Sequence, residues 1–192
     1  MSKILIIIPA RIGSKRLKHK NILPIKNLPM CIYVAKEALK SKFKAHVYIS
    51  TESSKIIDLC QKYKIKYVSR PKFLAKDDVE KQEVIVHAYK VLKDKIKPNI
   101  IVSLQVNTPQ FRVKDLDKAI LFFKEIVFPK KSIKEVISLG KNKLQNGAFR
   151  IMTPLGVCKK TLSTNIGAYF TDYIDIHNLN DYKKAKKKIE KN

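Results

Sequence analysis

Between Lys3 and Pro9 the chain carries an unbroken apolar run, Ile4-Leu5-Ile6-Ile7-Ile8. The run is too short to span a membrane, and it lacks the alternation of a half-exposed strand. Isoleucine branched at Cβ favours extended backbone. A strand that is apolar on both sides must be covered on both faces, which is the situation of an inner strand in a parallel sheet. Parallel neighbours cannot be joined by a tight hairpin and need a crossover, usually a helix. One short run thus predicts a chain in which strands alternate with helices.

The rest of the sequence follows that alternation. Residues 29–41 read as a helix with Ile32, Ala35, Ala38 and Leu39 on one face, and 45–50 as a second strand. A helix over 52–63 places Ile56, Ile57, Leu59 and Cys60 together, and 65–68 is a short strand before Arg70-Pro71. Val84, Ile85, Ala88 and Leu92 stay in phase over a helix at 81–92. A strand at 99–105 and a helix at 113–125 follow, with later strands expected at 136–139, 148–152 and 168–176 and a Lys-rich helix at 181–189. The pattern predicts an α/β fold, a Rossmann-like three-layer sandwich around a mostly parallel sheet. No repeat or dividing linker is visible, so 1–192 reads as one domain. In such sheets ligands bind beyond the carboxyl ends of the strands, here after Pro9, after Ser50, around Arg70 and after Gln105.

Charge is the next constraint. There are 41 Lys and Arg against 16 Asp and Glu, a formal net charge of +25. A polyanionic partner is the first thought, because clustered cations displace counterions from phosphates. Only five of the 41 are arginine (Arg11, Arg16, Arg70, Arg112 and Arg150), the residue suited to bidentate readout of bases and phosphates. The lysines are dispersed, and no zinc-finger, RNA-recognition or basic-zipper signature is present. The composition speaks against nucleic acid and for attraction of a small anionic substrate. Cys31, Cys60 and Cys158 are odd in number and far apart, which argues against a disulfide scaffold or zinc module and for a reducing cytoplasm. No run approaches the ~18 apolar residues of a membrane span, and Met1-Ser2-Lys3 leads directly into the first strand without room for a cleavable leader. No membrane partner is expected.

The first loop, Pro9-Ala10-Arg11-Ile12-Gly13-Ser14-Lys15-Arg16-Leu17-Lys18-His19-Lys20-Asn21, follows the apolar strand directly. Gly13 allows close backbone approach, Ser14 and main-chain N–H groups can donate, and Arg11 and Lys15 supply charge, together a cradle for a polyphosphate. It matches neither the Walker A loop nor the dinucleotide Gly-x-Gly-x-x-Gly pattern. An exposed basic loop of a Lys-rich chain is the plainer alternative. Placement after the first strand, with both Arg and Gly present, favours binding.

This Ile-Pro-Ala-Arg-x-Gly-Ser-Lys…Lys-Asn segment resembles the opening signature of the CMP-sialic acid synthetases, the acylneuraminate cytidylyltransferases. Later segments are similar to the same family in the same order: Tyr48-Ile49-Ser50-Thr51-Glu52, Arg70-Pro71 with Leu74-Ala75-x-Asp77, Leu104-Gln105-Val106-Asn107-Thr108-Pro109, Asn146-Gly147-Ala148 and Ile174-Asp175-Ile176-His177. The resemblance implies a nucleotide-diphospho-sugar transferase fold and transfer from CTP to an acidic, sialic-type sugar with release of pyrophosphate. It further implies that Ala10, Arg11, Gly13, Ser14, Lys15, Lys20, Asn21 and Arg70 bind the nucleotide and that Gln105 and Asn107 face the sugar. By the same resemblance Asp175 holds Mg²⁺, with Arg11, Lys15 and Asp175 catalytic. Read alone, Arg70 suits a turn anchor, Gln105 a strand-end hydrogen bond and Asp175 a loop cap more readily than a functional role, and His87 suits packing or surface.

Three departures stand out. His177 occupies the place of a second metal aspartate in the family, so weaker metal binding is expected unless Asp172 or water compensates. The segment between Ser138 and Asn146 is short where family members insert a dimer arm, so a monomer or a non-standard homodimer is expected. Lys81 falls near a nucleotide-contacting serine, and Val106-Asn107 replaces Pro-Thr. The alternatives are a CTP-binding relative with little catalysis and a cytidylyltransferase for another sugar acid such as Kdo.

Overall fold

The structure is a computed structural model that describes residues 3–130, 134–159 and 165–191, with backbone alone over 127–130. The leader reading at Met1 and Ser2 lies outside these residues. The isoleucine run forms β1 (Ile4–Pro9), paired in parallel on one side with β4 (His46–Thr51) and on the other with β6 (Ile100–Leu104). Around it lies a seven-stranded sheet in the order β5-β4-β1-β6-β8-β7-β9, where β5 is Lys66–Ser69, β7 Glu135–Leu139, β8 Gln145–Met152 and β9 Ile166–Phe170. Only β8 runs against the others among the described strands, antiparallel to both β6 and β7. A mostly parallel α/β sheet is therefore what the first strand predicted.

Side-chain alternation along β1 divides the core into two layers. Ile4, Ile6 and Ile8 pack with Val47, Ile49 and Val102 against α1 (Met30–Ala38), α2 (Ser54–Lys62), α4 (Val113–Lys130) and α6 (Leu179–Glu190). Leu5 and Ile7 face the other way, with Ile101 and Met152, onto Ile85, Ala88, Leu92 and Ile96 of α3 (Lys81–Ile96) and Val157 of α5 (Pro154–Val157). Burying each of these aliphatic side chains is worth ~1.5–3 kcal/mol.

Several boundaries differ from the sequence reading for identifiable reasons. Leu39, expected on the buried face of the first helix, is its C-cap and 50% exposed, because α1 ends at Ala38. The last expected strand, 168–176, is β9 only to Phe170. Its partner β7 ends at Leu139, whose carbonyl takes the Thr171 N–H, and the chain then leaves the sheet to reach Asn107 through Ile176 N–H. α3 runs a further turn to bury Ile96. The two-stranded hairpin β2 (Pro24–Ile25) and β3 (Leu28–Pro29) was not anticipated; Lys26 and Asn27 both have positive φ, as its tight turn requires.

One ion pair fixes the first loop to this frame. Glu52, just past β4, accepts from Ile12 N–H at 3.1 Å through one oxygen and from Arg70 Nη2 at 2.7 Å through the other. Arg70 also donates to the Ser50 carbonyl at 3.2 Å. Its side chain is 2% exposed and that of Glu52 10%, so removing either leaves a charge in the interior. Glu52→Ala is expected to lower unfolding free energy by ~3–5 kcal/mol in urea titration; a loss under ~1 kcal/mol contradicts this reading of the pair. Phe123→Ala, which empties a fully buried site under the sheet, should cost about 3–5 kcal/mol by the same titration.

Candidate functional site

Beyond the carboxyl ends of β1, β4, β5 and β6 the loops enclose a cleft of about 670 Å³. The first loop and the 3-10 turn that follows it give Arg11, Ser14, Lys15, Arg16, Lys20 and Asn21 to its wall. Arg70, Gln105 and Asn107 come from the other loops. Ala10 is fully buried, bound through its N–H to the Ser50 carbonyl at 2.9 Å, and does not line the cleft. Gly13 is exposed and has open space where a Cβ would lie. Asp175 lines a second pocket of about 350 Å³ with Gln145, Gly147 and Arg150, and Gln105 borders both spaces.

Charge in the cleft is arranged around a few anions. Asp77 bridges Arg11 Nη1 at 2.8 Å and Lys15 Nζ at 2.6 Å, and the Lys15 hydrogen bond, with that of Arg11, holds its carboxyl below the usual range. Arg11 also donates to the Ala75 carbonyl at 3.0 Å. Arg70 is committed to Glu52 and Ser50; burial lowers its pKa against the pull of Glu52. Its placement matches the turn-anchor alternative as closely as a ligand contact. Asn21 donates to the Arg11 carbonyl at 2.8 Å and so fixes the loop from within.

Lys20 donates to the Ile176 carbonyl at 2.9 Å, joining the first loop to 171–177. Burial lowers its pKa, opposed by Asp175 and reinforced by Arg16, Lys81 and Arg11. Asp175 is itself held on both oxygens: Asn107 Nδ2 donates to Oδ1, and His177 Nε2 lies 3.2 Å from Oδ2. His177 Nδ1 takes a 2.9 Å bond from Arg16 Nη1. Arginine cannot accept, so Nδ1 is the acceptor and Nε2–H the donor to Asp175. Gln105 Nε2 donates to Ser103 at 3.0 Å.

A divalent cation fits this arrangement as a one-carboxylate site. Each oxygen of Asp175 accepts a single bond and keeps a lone pair. Gly147, in the left-handed region at φ 64°, would bring even a Cβ no nearer than 3.8 Å to Oδ2. Among the described residues no three His, Cys, Asp or Glu side chains form a metal cluster. Mg²⁺ tolerates that, because it is commonly held by one or two carboxylates completed by phosphate oxygens and water.

Sequence reasoning missed Arg16, Asp77, Gln82 and Arg150 as parts of the two pockets, and Glu52 as the partner that holds Arg70 and the first loop. Arg150 donates through Nε to buried Glu135 and through Nη1 to Gln82 Oε1 at 2.8 Å. Glu52 and Asp77 stood in the quoted motifs, which was the available signal. Nothing in the spacing of Gln82, Glu135 and Arg150 marks them, since β7–β8 pairing sets Glu135 near Arg150 and the packing of α3 on that face of the sheet brings Gln82 to them.

Comparison with known proteins gives a consistent result. The chain is 36% identical over 93 residues to the N-acylneuraminate cytidylyltransferase of Escherichia coli O18:K1:H7, covering 48% of this chain and 22% of that protein. It is 41% identical over 86 residues to the CMP-N,N'-diacetyllegionaminic acid synthase of Campylobacter jejuni, covering 44% and 37%. The matches thus span well under half the length of these relatives. In fold it is similar to a CMP:2-keto-3-deoxy-manno-octonic acid synthetase complexed with CTP, at a TM-score of 0.78 and 15% identity over 99% of both chains. The cytidylyltransferase family model matches residues 5–142, from the first strand through the β7–β8 turn, and this chain belongs to that family.

Proposed function

We propose that the chain transfers the cytidylyl group of CTP to an acidic sugar of the sialic type, giving the CMP-sugar and pyrophosphate. The observation that carries the reading is the pair of adjoining pockets: a larger one walled by Arg11, Lys15, Lys20 and Ser14, and a smaller one holding Asp175, with Gln105 on their shared wall. A nucleoside triphosphate suits the first by charge and size. A sugar acid in the second would present its hydroxyl toward the α-phosphate.

In the reaction a sugar hydroxyl oxygen bonds to the α-phosphorus as the bond to the pyrophosphate oxygen breaks, and the hydroxyl proton is lost to solvent. Such transfers are catalysed mainly by positioning and charge stabilisation. Arg11 and Lys15 exchange Asp77 for phosphate oxygens and offset charge on the leaving pyrophosphate. Lys20 and Asn21 hold the loop in shape around the phosphates, and Gln105 with Asn107 orients the sugar side. Asp175 would hold Mg²⁺, which when bound polarises the phosphoryl oxygens and templates the nucleophile and leaving group. The similarity to N-acylneuraminate and legionaminic acid enzymes supports a sialic-type acid, and the structural likeness to a Kdo-type synthetase keeps that eight-carbon acid as the second substrate to test. Three free cysteines, two of them buried, suit a reducing cytoplasm, and no helix among the described residues is long and apolar enough to cross a membrane. A monomer or a non-standard homodimer is the assembly this reading carries.

A second reading, CTP binding without turnover, is favoured by the hold of His177 on Asp175. Calorimetry with CTP and Mg²⁺, followed by pyrophosphate release with N-acetylneuraminate, a legionaminic-type acid and Kdo, separates the two. The expected result is CTP binding and release with one of these acids. Asp175→Asn should reduce release at least by the ~10–100-fold that loss of a supporting partner of a metal ligand costs. Absence of CTP binding overturns the family of readings; binding without release from any acid leaves the second.

A further inference from the structure

The face of the sheet under α3 is built from Leu5, Ile7, Ile101 and Met152, yet beside them it carries Ser103, Arg150 and Glu135. Ser103 lies directly across from Arg150 in the β6–β8 ladder. Glu135 lies across from Met152, two residues on from Arg150 and so on the same face. Glu135 is 2% exposed and the Arg150 side chain 15%. A buried arginine–carboxylate pair is a poor source of stability, since apolar residues of similar volume often do as well or better in its place. The pair calls for another use.

The guanidinium of Arg150 is held from two sides. Its Nε donates to Glu135, and its Nη1 donates to Gln82 Oε1 at 2.8 Å. Gln82 is fixed in turn by its Nε2, which donates to the Val157 carbonyl at 2.5 Å. Nη1 keeps one N–H and Nη2 keeps both, and no described residue accepts from Nη2. Arg150, Gln82 and Ser103 line the smaller pocket, whereas Glu135 does not. Gln105, which borders both pockets, donates to Ser103 at 3.0 Å, so the arginine stands one strand away from the boundary with the larger cleft.

We propose that Arg150 binds the carboxylate of the acceptor sugar and makes the smaller pocket selective for an acid over a neutral sugar. This rests on the reading that the smaller pocket takes the acceptor. The planar guanidinium fork matches the two oxygens of a carboxylate. Glu135 and Gln82 hold the side chain in place beforehand, so little rotamer freedom is lost when the anion arrives. The pocket's own carboxylates are engaged elsewhere, Glu80 in the capping box of α3 and Asp175 with Asn107 and His177. Lys81, exposed on the border of both pockets, adds a second positive charge. A neutral sugar could take hydrogen bonds here but none with charge on both partners.

Binding is read on the full chain by calorimetry, with CTP present and metal withheld so that no turnover intervenes. The probes are N-acetylneuraminate, a legionaminic-type acid and Kdo, and the C1 methyl ester of whichever acid binds most tightly. The parent should bind the ester at least tenfold more weakly than the acid. Arg150→Gln should weaken the acid at least tenfold, leave the ester and CTP unchanged, and so bring the two affinities together. Arg150→Lys should recover part of the loss. Because Arg150→Gln leaves Glu135 buried without the arginine, E135Q/R150Q removes both charges at once and should show the same loss of preference. The proposal is overturned if the parent binds acid and ester alike, if it binds none of the three acids, or if E135Q/R150Q keeps the parent's preference. Those outcomes leave CTP binding, and with it the nucleotide half of the proposed function, intact. A parent chain that binds no CTP removes the proposed function and this proposal together.

Discussion

A single carboxylate, that of Glu52, holds the first loop, the end of β4 and the end of β5 in one arrangement. Its two oxygens take the Ile12 amide and the Arg70 guanidinium, and Arg70 reaches on to the Ser50 carbonyl. Each contact crosses between segments that the sheet brings side by side only because β1 and β4, and β4 and β5, pair in parallel with their carboxyl ends together. The ion pair is dry enough that solvent does not weaken it and costly enough to desolvate that it forms only in this geometry. The shape of the phosphate-binding loop is therefore a consequence of sheet topology, transmitted through one buried pair.

The cations of the cleft divide by what they are already doing. Arg70 is structural first. Lys20 spends its ammonium on the Ile176 carbonyl and so couples the loop to the segment that carries Asp175. Arg11 and Lys15 share Asp77, an exposed carboxylate that an incoming anion can displace. The chain from Arg16 through His177 to Asp175 and Asn107 runs along the border of the two pockets. A protein with +25 formal charge thus binds its anion with a handful of placed groups; the dispersed lysines contribute a general attraction that salt screens.

The architecture was legible because its signals are local and periodic. The Ile4–Ile8 run implied a doubly covered strand, and the in-phase Val84, Ile85, Ala88 and Leu92 implied the helix on its far side. The hairpin at 24–29 was not, since Lys26 is an unusual occupant of a positive-φ turn position. The strand expected to run to Ile176 has the right composition, but its partner stops at Leu139, and ladder length is a property of two strands together. Within the site, Arg11, Ser14, Lys15, Lys20, Asn21, Arg70, Gln105 and Asn107 line the cleft as their motifs implied, whereas Ala10 is buried, Gly13 is exposed outside its lining and Asp175 lines the second pocket. The meeting of Arg16 with His177, and of Arg150 with Glu135 and Gln82, depends on register and crossover and leaves no mark in spacing. His177 read as a loss in the sequence; its geometry gives it a neighbour to hold at either nitrogen.

The central claim is that the loop from Arg11 to Lys20 is built around a triphosphate. A crystal structure with CTP and Mg²⁺ tests it most directly. The account predicts the triphosphate against Arg11, Lys15 and Ser14, Asp77 released from both cations, and the metal between Asp175 and a phosphate oxygen. A triphosphate bound elsewhere on the surface, with Asp77 still bridging Arg11 and Lys15, would contradict it.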